Sequence, residues 1–197
     1  MGRPKSYDRE EVAGKAMELF WKQGFHATST KTLAEHMGIN VYSLFAEFES
    51  KQGLYEAALT VYVRDVVTRH FSKLETPDAG IRELVQVIEF FASAAGEPGS
   101  EQGCFLCNAA TERAAIDPGS KEFVDAYVER IQQAIQNTLK NAKERGELRP
   151  EVSCEDQSRM LTSTLLGFSV LMRAGVDREV IAGAARAACS ALERMRV

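Results

Sequence analysis

The segment that most restricts this chain is residues 28–51, TSTKTLAEHMGINVYSLFAEFESK. It opens on Thr28, Ser29 and Thr30, whose hydroxyls can cap a helix by accepting its free amide protons. Leu33, Ala34 and Met37 then recur at helical spacing. Gly38 follows, and glycine reaches positive φ at the least cost at a helix end. Asn40 is a second N-cap, and Tyr42, Leu44, Phe45 and Phe48 begin another helix. Two short capped helices joined by a glycine turn form a helix-turn-helix, a unit that can set its second helix into a DNA major groove. Ordinary helical hairpins contain the same turn, so spacing alone leaves both readings open.

The flanks narrow the choice. Upstream, residues 8–24 predict an amphipathic helix with Val12, Ala16, Leu19 and Phe20 on one side. Downstream, Ser50 and Lys51 open a longer helix carrying Leu54, Ala57, Ala58, Val61 and Tyr62. With these in place, GRPKSYDREEVAGKAMELFWKQGFHATSTKTLAEHMGINVYSLFAEFESKQGLYEAAL resembles the N-terminal domain of the TetR family of bacterial transcriptional repressors in order, spacing and residue type. The resemblance implies a dimer whose C-terminal helical domain binds a small effector and thereby weakens operator binding.

Length and composition are compatible with this. A chain of 197 residues with 45% hydrophobic content can bury one large core or two small ones. No apolar run reaches the roughly 20 residues of a membrane helix. The start, MGRPKSYDREE, lacks a signal peptide's apolar core, so a cytoplasmic protein is expected. Four cysteines without a disulfide framework suit a reducing compartment. The net charge of −4 does not advertise nucleic-acid binding, and within residues 1–51 seven Lys and Arg face seven Asp and Glu. Phosphate contact then depends on where the bases sit, because screening limits each charge to about 8 Å.

The candidate DNA contacts are Arg3, Lys5, Thr28, Ser29, Lys31, Asn40, Val41, Tyr42, Ser43 and Lys51. The resemblance implies that the arm around Pro4 carries Arg3 and Lys5 toward the minor groove or phosphates; a solvated terminus is the other reading. Lys31, in the first turn of the helix opened by Ser29, is placed for a phosphate. Asn40, Tyr42 and Ser43 can reach phosphates or base edges, and Val41 can pack on a thymine methyl. Lys51 stands where the family has a lysine at the start of its fourth helix. Departures from the family pattern also sit here. Tyr42 replaces a small residue, Phe45 lacks the hydroxyl of the family's tyrosine, and Ala46 or Glu47 replaces a histidine or tyrosine. Glu47 and Glu49 would repel the DNA backbone if they faced it.

Farther along, residues 55–74 predict one helix apolar on several sides, as a strut between domains requires. Pro77 breaks it, and Asp78 is expected to cap a helix over 81–95. Residues 96–103, GEPGSEQG, are a loop. GCFLCNAATE after it resembles the start of the family's sixth helix, which borders the effector pocket. Asp117-Pro118-Gly119 is the next break, and helices over 121–144, 153–174 and 178–195 complete the chain. The last two have more apolar surface than one partner needs, which predicts a homodimer four-helix bundle or ordinary intrachain packing. Trp21, Phe20 and Phe25 are expected to close a miniature core with Leu33, Leu44 and Phe48.

Cys104-x-x-Cys107 has the spacing of a redox dithiol or half a zinc site. No second CxxC follows, and the three histidines lie elsewhere, so no metal and no cofactor is expected; small apolar residues lining a core or pocket explain the pair as well. No GxSxG, phosphate loop or HExxH motif points to an enzyme.

The expectation is an all-α fold of about nine helices. Residues 1–50 form a three-helix DNA-binding helix-turn-helix domain, and residues 51–197 an effector-binding and dimerisation domain. The partners are double-stranded operator DNA, a second copy through the last two helices, and a lipophilic or aromatic effector lined by Phe90, Cys104, Asn108, Phe123, Tyr127 and Phe168. The alternatives are a redox-sensing regulator acting through Cys104 and Cys107, and a helical ligand-binding protein with weak or no DNA binding.

Overall fold

The computed structural model describes residues 7–112 and 118–197. Arg3 and Lys5 of the arm, and Asp117 of the expected break, lie outside the described residues. Three short helices form the N-terminal part: α1 (Arg9–Gln23), α2 (Thr30–Met37) and α3 (Val41–Phe48). Each begins where a side chain satisfies an end amide. Asp8 accepts from the Glu10 N–H at 2.8 Å, Ser29 from Thr32 at 3.0 Å, and Asn40 from Ser43 at 2.8 Å. Gly38 ends α2 in the left-handed region, at φ 71° and ψ 27°, which sets α3 across α2.

The strut follows as one unbroken helix whose pitch changes along its length. It runs from α4 (Lys51–Tyr62) through a π-helical turn (Val63–Val67) into α5 (Thr68–Phe71) and a 3₁₀ turn (Ser72–Glu75). The Thr68 hydroxyl donates to the Val63 carbonyl at 3.1 Å inside the widened turn. The remaining helices are α6 (Ile81–Ala94), α7 (Phe105–Glu112), α8 (Pro118–Glu144), α9 (Cys154–Arg173) and α10 (Arg178–Arg194). With the strut counted once, the described residues form nine α-helices and no strand; a single β-bridge joins Leu148 to Arg196. No helix among the described residues is long and apolar enough to cross a membrane.

Two expectations change. Asp78 does not cap α6: Gly80 holds that position, and its N–H donates to the Glu83 carboxylate at 3.0 Å. Trp21 packs against the core at Tyr62 and does not join Phe20, because it lies about 100° around α1 from that residue. Its indole N–H donates to the carbonyls of Gln102 and Gly103, at 3.2 and 3.1 Å. Phe20, Leu33, Leu44 and Phe48 are buried together with Leu54 and Tyr55 of α4, so α4 completes the N-terminal core as well as starting the strut. In the C-terminal part α8 packs along α9, and α6 along α10.

Candidate nucleic-acid interface and ligand cavity

Helix α3 buries Leu44 and Phe48 and presents the opposite side to solvent. Tyr42 is 84% exposed, while Val41 and Phe45 beside it are 37% and 38% exposed. Asn40 is exposed, but its side-chain oxygen is held by the cap. Glu47 turns away toward Arg9, 3.4 Å distant, with only 9% of its side chain exposed. The feared repulsion of the DNA backbone therefore reduces to Glu49, which ends the helix at φ 64°. The Tyr7 hydroxyl donates to the Ser43 carbonyl at 3.4 Å, so the described chain begins beside α3.

The other DNA candidates separate. Ser29 and Lys31 are exposed, and the ammonium of Lys31 lies 3.9 Å from Glu35. Thr28 is fully buried and its hydroxyl donates to the Gly24 carbonyl at 2.6 Å, which removes it from any DNA surface. Lys51 is half-buried, with its ammonium 4.2 Å from the centre of the Phe25 ring. Desolvation lowers its pKa against the opposing field of Glu112, so its charge is already engaged within the molecule.

A partly open apolar cavity of about 140 Å³ lies between the strut, α6, the residues leading into α7, α8 and α9. Of the six pocket candidates, Phe90, Cys104 and Tyr127 line it. Phe123 lines a neighbouring apolar groove of about 490 Å³ that shares Val67 and Tyr127 with the cavity. Asn108 and Phe168 line neither: Asn108 donates to the Gln102 carbonyl at 2.9 Å, and Phe168 is buried in the core. Trp21, Tyr62 and His70 also line the cavity and had no sequence signal, since three helices must meet before they share a space. His70 stacks on Phe90 with ring centres 4.5 Å apart. Burial, then Arg69, lowers its pKa.

Cys104 sits at the N-terminus of α7, where the Asn108 N–H donates to its carbonyl at 2.9 Å. Its thiol donates to the Tyr127 hydroxyl at 3.3 Å. Burial opposes ionisation, but the hydrogen bonds that the thiolate form would accept from Cys107, Tyr127 and Tyr62 outweigh it and bring the Cys104 pKa down to about 6. The same bond and burial push Cys107 up. Among the described residues, no group of three or more His, Cys, Asp or Glu is placed to hold a metal.

The cavity and the helix-turn-helix are joined through α7. The Phe25 N–H, in the turn between α1 and α2, donates to the Glu112 carboxylate at 2.8 Å. Phe105 lies edge-on to Tyr55 and to Tyr62 at 5.3 and 5.6 Å, and Tyr55 meets Phe20 and Phe25 at 5.0 and 4.9 Å. Aromatic rings thus run without a gap from the first turn of α7 into the N-terminal core.

A family model described as bacterial regulatory proteins, tetR family, matches residues 14–58, and one described as tetracyclin repressor-like, C-terminal domain, matches residues 80–188. The chain belongs to the TetR family. It is a DNA-binding transcriptional regulator of the helix-turn-helix type. It is 29% identical over 184 residues to the transcriptional repressor ComR of Escherichia coli (strain K12), covering 90% of this chain and 85% of ComR. It is 25% identical to the uncharacterized regulator YezE of Bacillus subtilis (strain 168), covering 91% and 93% of the two chains. Among solved structures, a TetR regulator from Chloroflexus aurantiacus J-10-fl shares the fold with a TM-score of 0.84 at 24% identity, covering 95% of each chain. CifR, solved with 26-bp operator DNA, shares it with a TM-score of 0.81 at 23% identity, covering 96% of this chain and 99% of CifR. In this TetR-family chain, α2 and α3 are therefore the helix-turn-helix.

Proposed function

We propose that this regulator is a homodimeric repressor released from its operator by a small apolar effector that enters the cavity beneath the strut. The observation that carries the reading is that one set of helices serves both ends. The strut and Cys104, the residue that opens α7, wall the cavity, and the strut and α7 reach α1 and the α1–α2 turn through Tyr55, Phe105 and Glu112. Residues 1–50 take the DNA, with Ser29, Lys31, Asn40, Val41, Tyr42 and Ser43 as the contacts; residues 51–197 take the effector and the second copy. Met160 and Val170 of α9 and Val180 of α10 are exposed apolar residues that support pairing through those helices. Phe90, Cys104 and Tyr127 are the effector contacts, with Trp21, Tyr62 and His70 beside them. Operator DNA as the partner supports a cytoplasmic protein.

Selection of bound duplexes from a random DNA pool tests the DNA half. A palindromic site with half-sites one helical turn or a multiple apart is expected, and affinity should fall as salt rises, in proportion to the phosphates neutralised. No binding at low salt overturns the reading in favour of a ligand-binding helical protein. Trp21 is the chain's single tryptophan and lines the cavity, so its fluorescence reads occupancy. A panel of aromatic compounds should change that emission and the affinity for the selected duplex together.

A second reading is favoured by the Cys104 geometry: control by oxidation. A peroxide would convert the Cys104 thiolate to a sulfenic acid with release of water or alcohol. The Cys107 thiol would then condense with it, releasing water and leaving a disulfide. Duplex affinity measured before and after peroxide, in the natural chain and in Cys104→Ser and Cys107→Ser, decides it; unchanged affinity removes it.

A further inference from the structure

Helix α3 offers little of the hydrogen-bonding chemistry by which proteins usually read bases. Arg and Lys on guanine, and Asn or Gln on adenine, are the bidentate contacts of the major groove. Over Val41–Phe48 there is no Arg, Lys, Asn or Gln. The side-chain oxygen of Asn40 is held in its own cap, and Glu47 is turned to Arg9. Ser43 is half-buried. What remains outward is Phe45, Tyr42 and Ala46 in one arc, with Val41 at its edge. On this two-turn helix the Tyr42 ring is mostly exposed, and Val41 and Phe45 each keep more than a third of their surface open. Water is a poor destination for such a face, and a methyl group is a good one. In the major groove, one base alone carries a methyl: thymine, at C5.

We propose that Val41, Tyr42 and Phe45 read the operator through thymine methyl groups, so that each half-site carries thymines beneath α3 and the methyls, not hydrogen bonds to base edges, supply most of the sequence discrimination. This rests on the proposed DNA-binding function and names its specificity chemistry. Lys31 and the N-terminus of α3 then serve the phosphates and set the register, without sequence information of their own.

The test replaces thymine by deoxyuridine, which removes the methyl and leaves every hydrogen-bonding group in place. The duplex is the one recovered from the random pool, and the protein is the full chain. Each replaced thymine beneath α3 should weaken binding about fourfold, the effect of one lost methyl burial; replacement outside the α3 footprint should change nothing. The Tyr42→Ala and Phe45→Ala variants, both at exposed positions, should bind with the same salt dependence but lose the difference between thymine and deoxyuridine at the base each covers. Failure to bind any duplex overturns the DNA-binding reading itself. Specific binding that is indifferent to deoxyuridine, or a recovered half-site without thymine under α3, overturns this inference alone.

Discussion

The contact between Glu112 and the α1–α2 turn has a cost that can be worked out from its surroundings. The Glu112 carboxylate accepts from the half-buried Phe25 N–H at 2.8 Å. Replacing it by alanine leaves that amide without its charged acceptor. Such losses run about 1–3 kcal/mol, and partial exposure places this one toward the lower end, about 1–2 kcal/mol. In a chain of this size that lowers the thermal midpoint by roughly 2–8 °C. Gly24 makes the test sharper. It sits at φ 83° and ψ 167°, a region essentially closed to other residues, and an added Cβ would lie 2.2 Å from the same carboxylate. Gly24→Ala therefore suffers twice: from backbone strain on the order of 1–3 kcal/mol, and from collision with Glu112. In a Glu112→Ala background only the strain remains. Equilibrium denaturation of the two single variants and the double variant should show the double losing less than the sum, by at least about 0.5 kcal/mol. Additive losses would mean that the carboxylate is not held against the turn, and the link from α7 to the helix-turn-helix would go with it.

Three further outcomes follow from single groups. His70 has its pKa lowered by burial beside Arg69, so the folded chain binds fewer protons there than the unfolded one; stability should fall as pH drops from about 6.5 through the lowered value, and thermal midpoints of the natural chain and His70→Phe should diverge over that range. Tyr127→Phe removes one of the hydroxyls that can donate to a Cys104 thiolate, so the thiol should titrate higher in Tyr127→Phe/Cys107→Ser than in Cys107→Ser alone, read by thiolate absorbance. Gly38→Ala meets no neighbour within 4 Å, so its cost should be the left-handed backbone alone, about 1–2 kcal/mol by denaturation; a cost near zero would mean the turn relaxes out of φ 71°.

The helix-turn-helix was legible because its signals are local: Ser29, Gly38 and Asn40 each act within three residues of themselves. The strut's continuity was legible from its apolar pattern, but the π turn over Val63–Val67 was not, since one widened turn leaves no mark on the sequence. Asp78 was a reasonable cap by type, yet Glu83 reaching back to Gly80 satisfies the same end, and sequence alone does not rank the two. Trp21 illustrates the larger failure. Beside Phe20 it looked like core, but neighbours on a helix are 100° apart, and the second side of α1 faces the loop before α7. Thr28 was read for its hydroxyl, which a buried backbone carbonyl four residues earlier had already taken. The cavity residues drawn from helices far apart in sequence, Tyr62, His70 and Met172 among them, have no local signature at all.

The size of the cavity decides how an effector can act. A ligand shifts a conformational equilibrium only by its preference for one state over the other. At about 140 Å³ the space suits one aromatic ring, since cavities near 150 Å³ hold benzene. A ligand of that size fills the space as it stands and so stabilises the arrangement of strut, α7 and helix-turn-helix described above. A two-ring compound exceeds that space, so it either projects through the opening or moves a wall. The walls that can yield are the π turn, whose Val66 and Val67 face the cavity, and Cys104, which leads into α7. Both lead to the DNA-binding helices, one through Tyr55 and Lys51 in α4, the other through Glu112 and Phe25. Small and large aromatic ligands should therefore move operator affinity in opposite directions while both alter Trp21 emission. Reversing a 99:1 preference takes a differential of about 5.5 kcal/mol. Filling 140 Å³ of apolar void is worth only ~3 kcal/mol, so a full release needs the larger ligand, whose second ring gains its contacts only after the wall has moved.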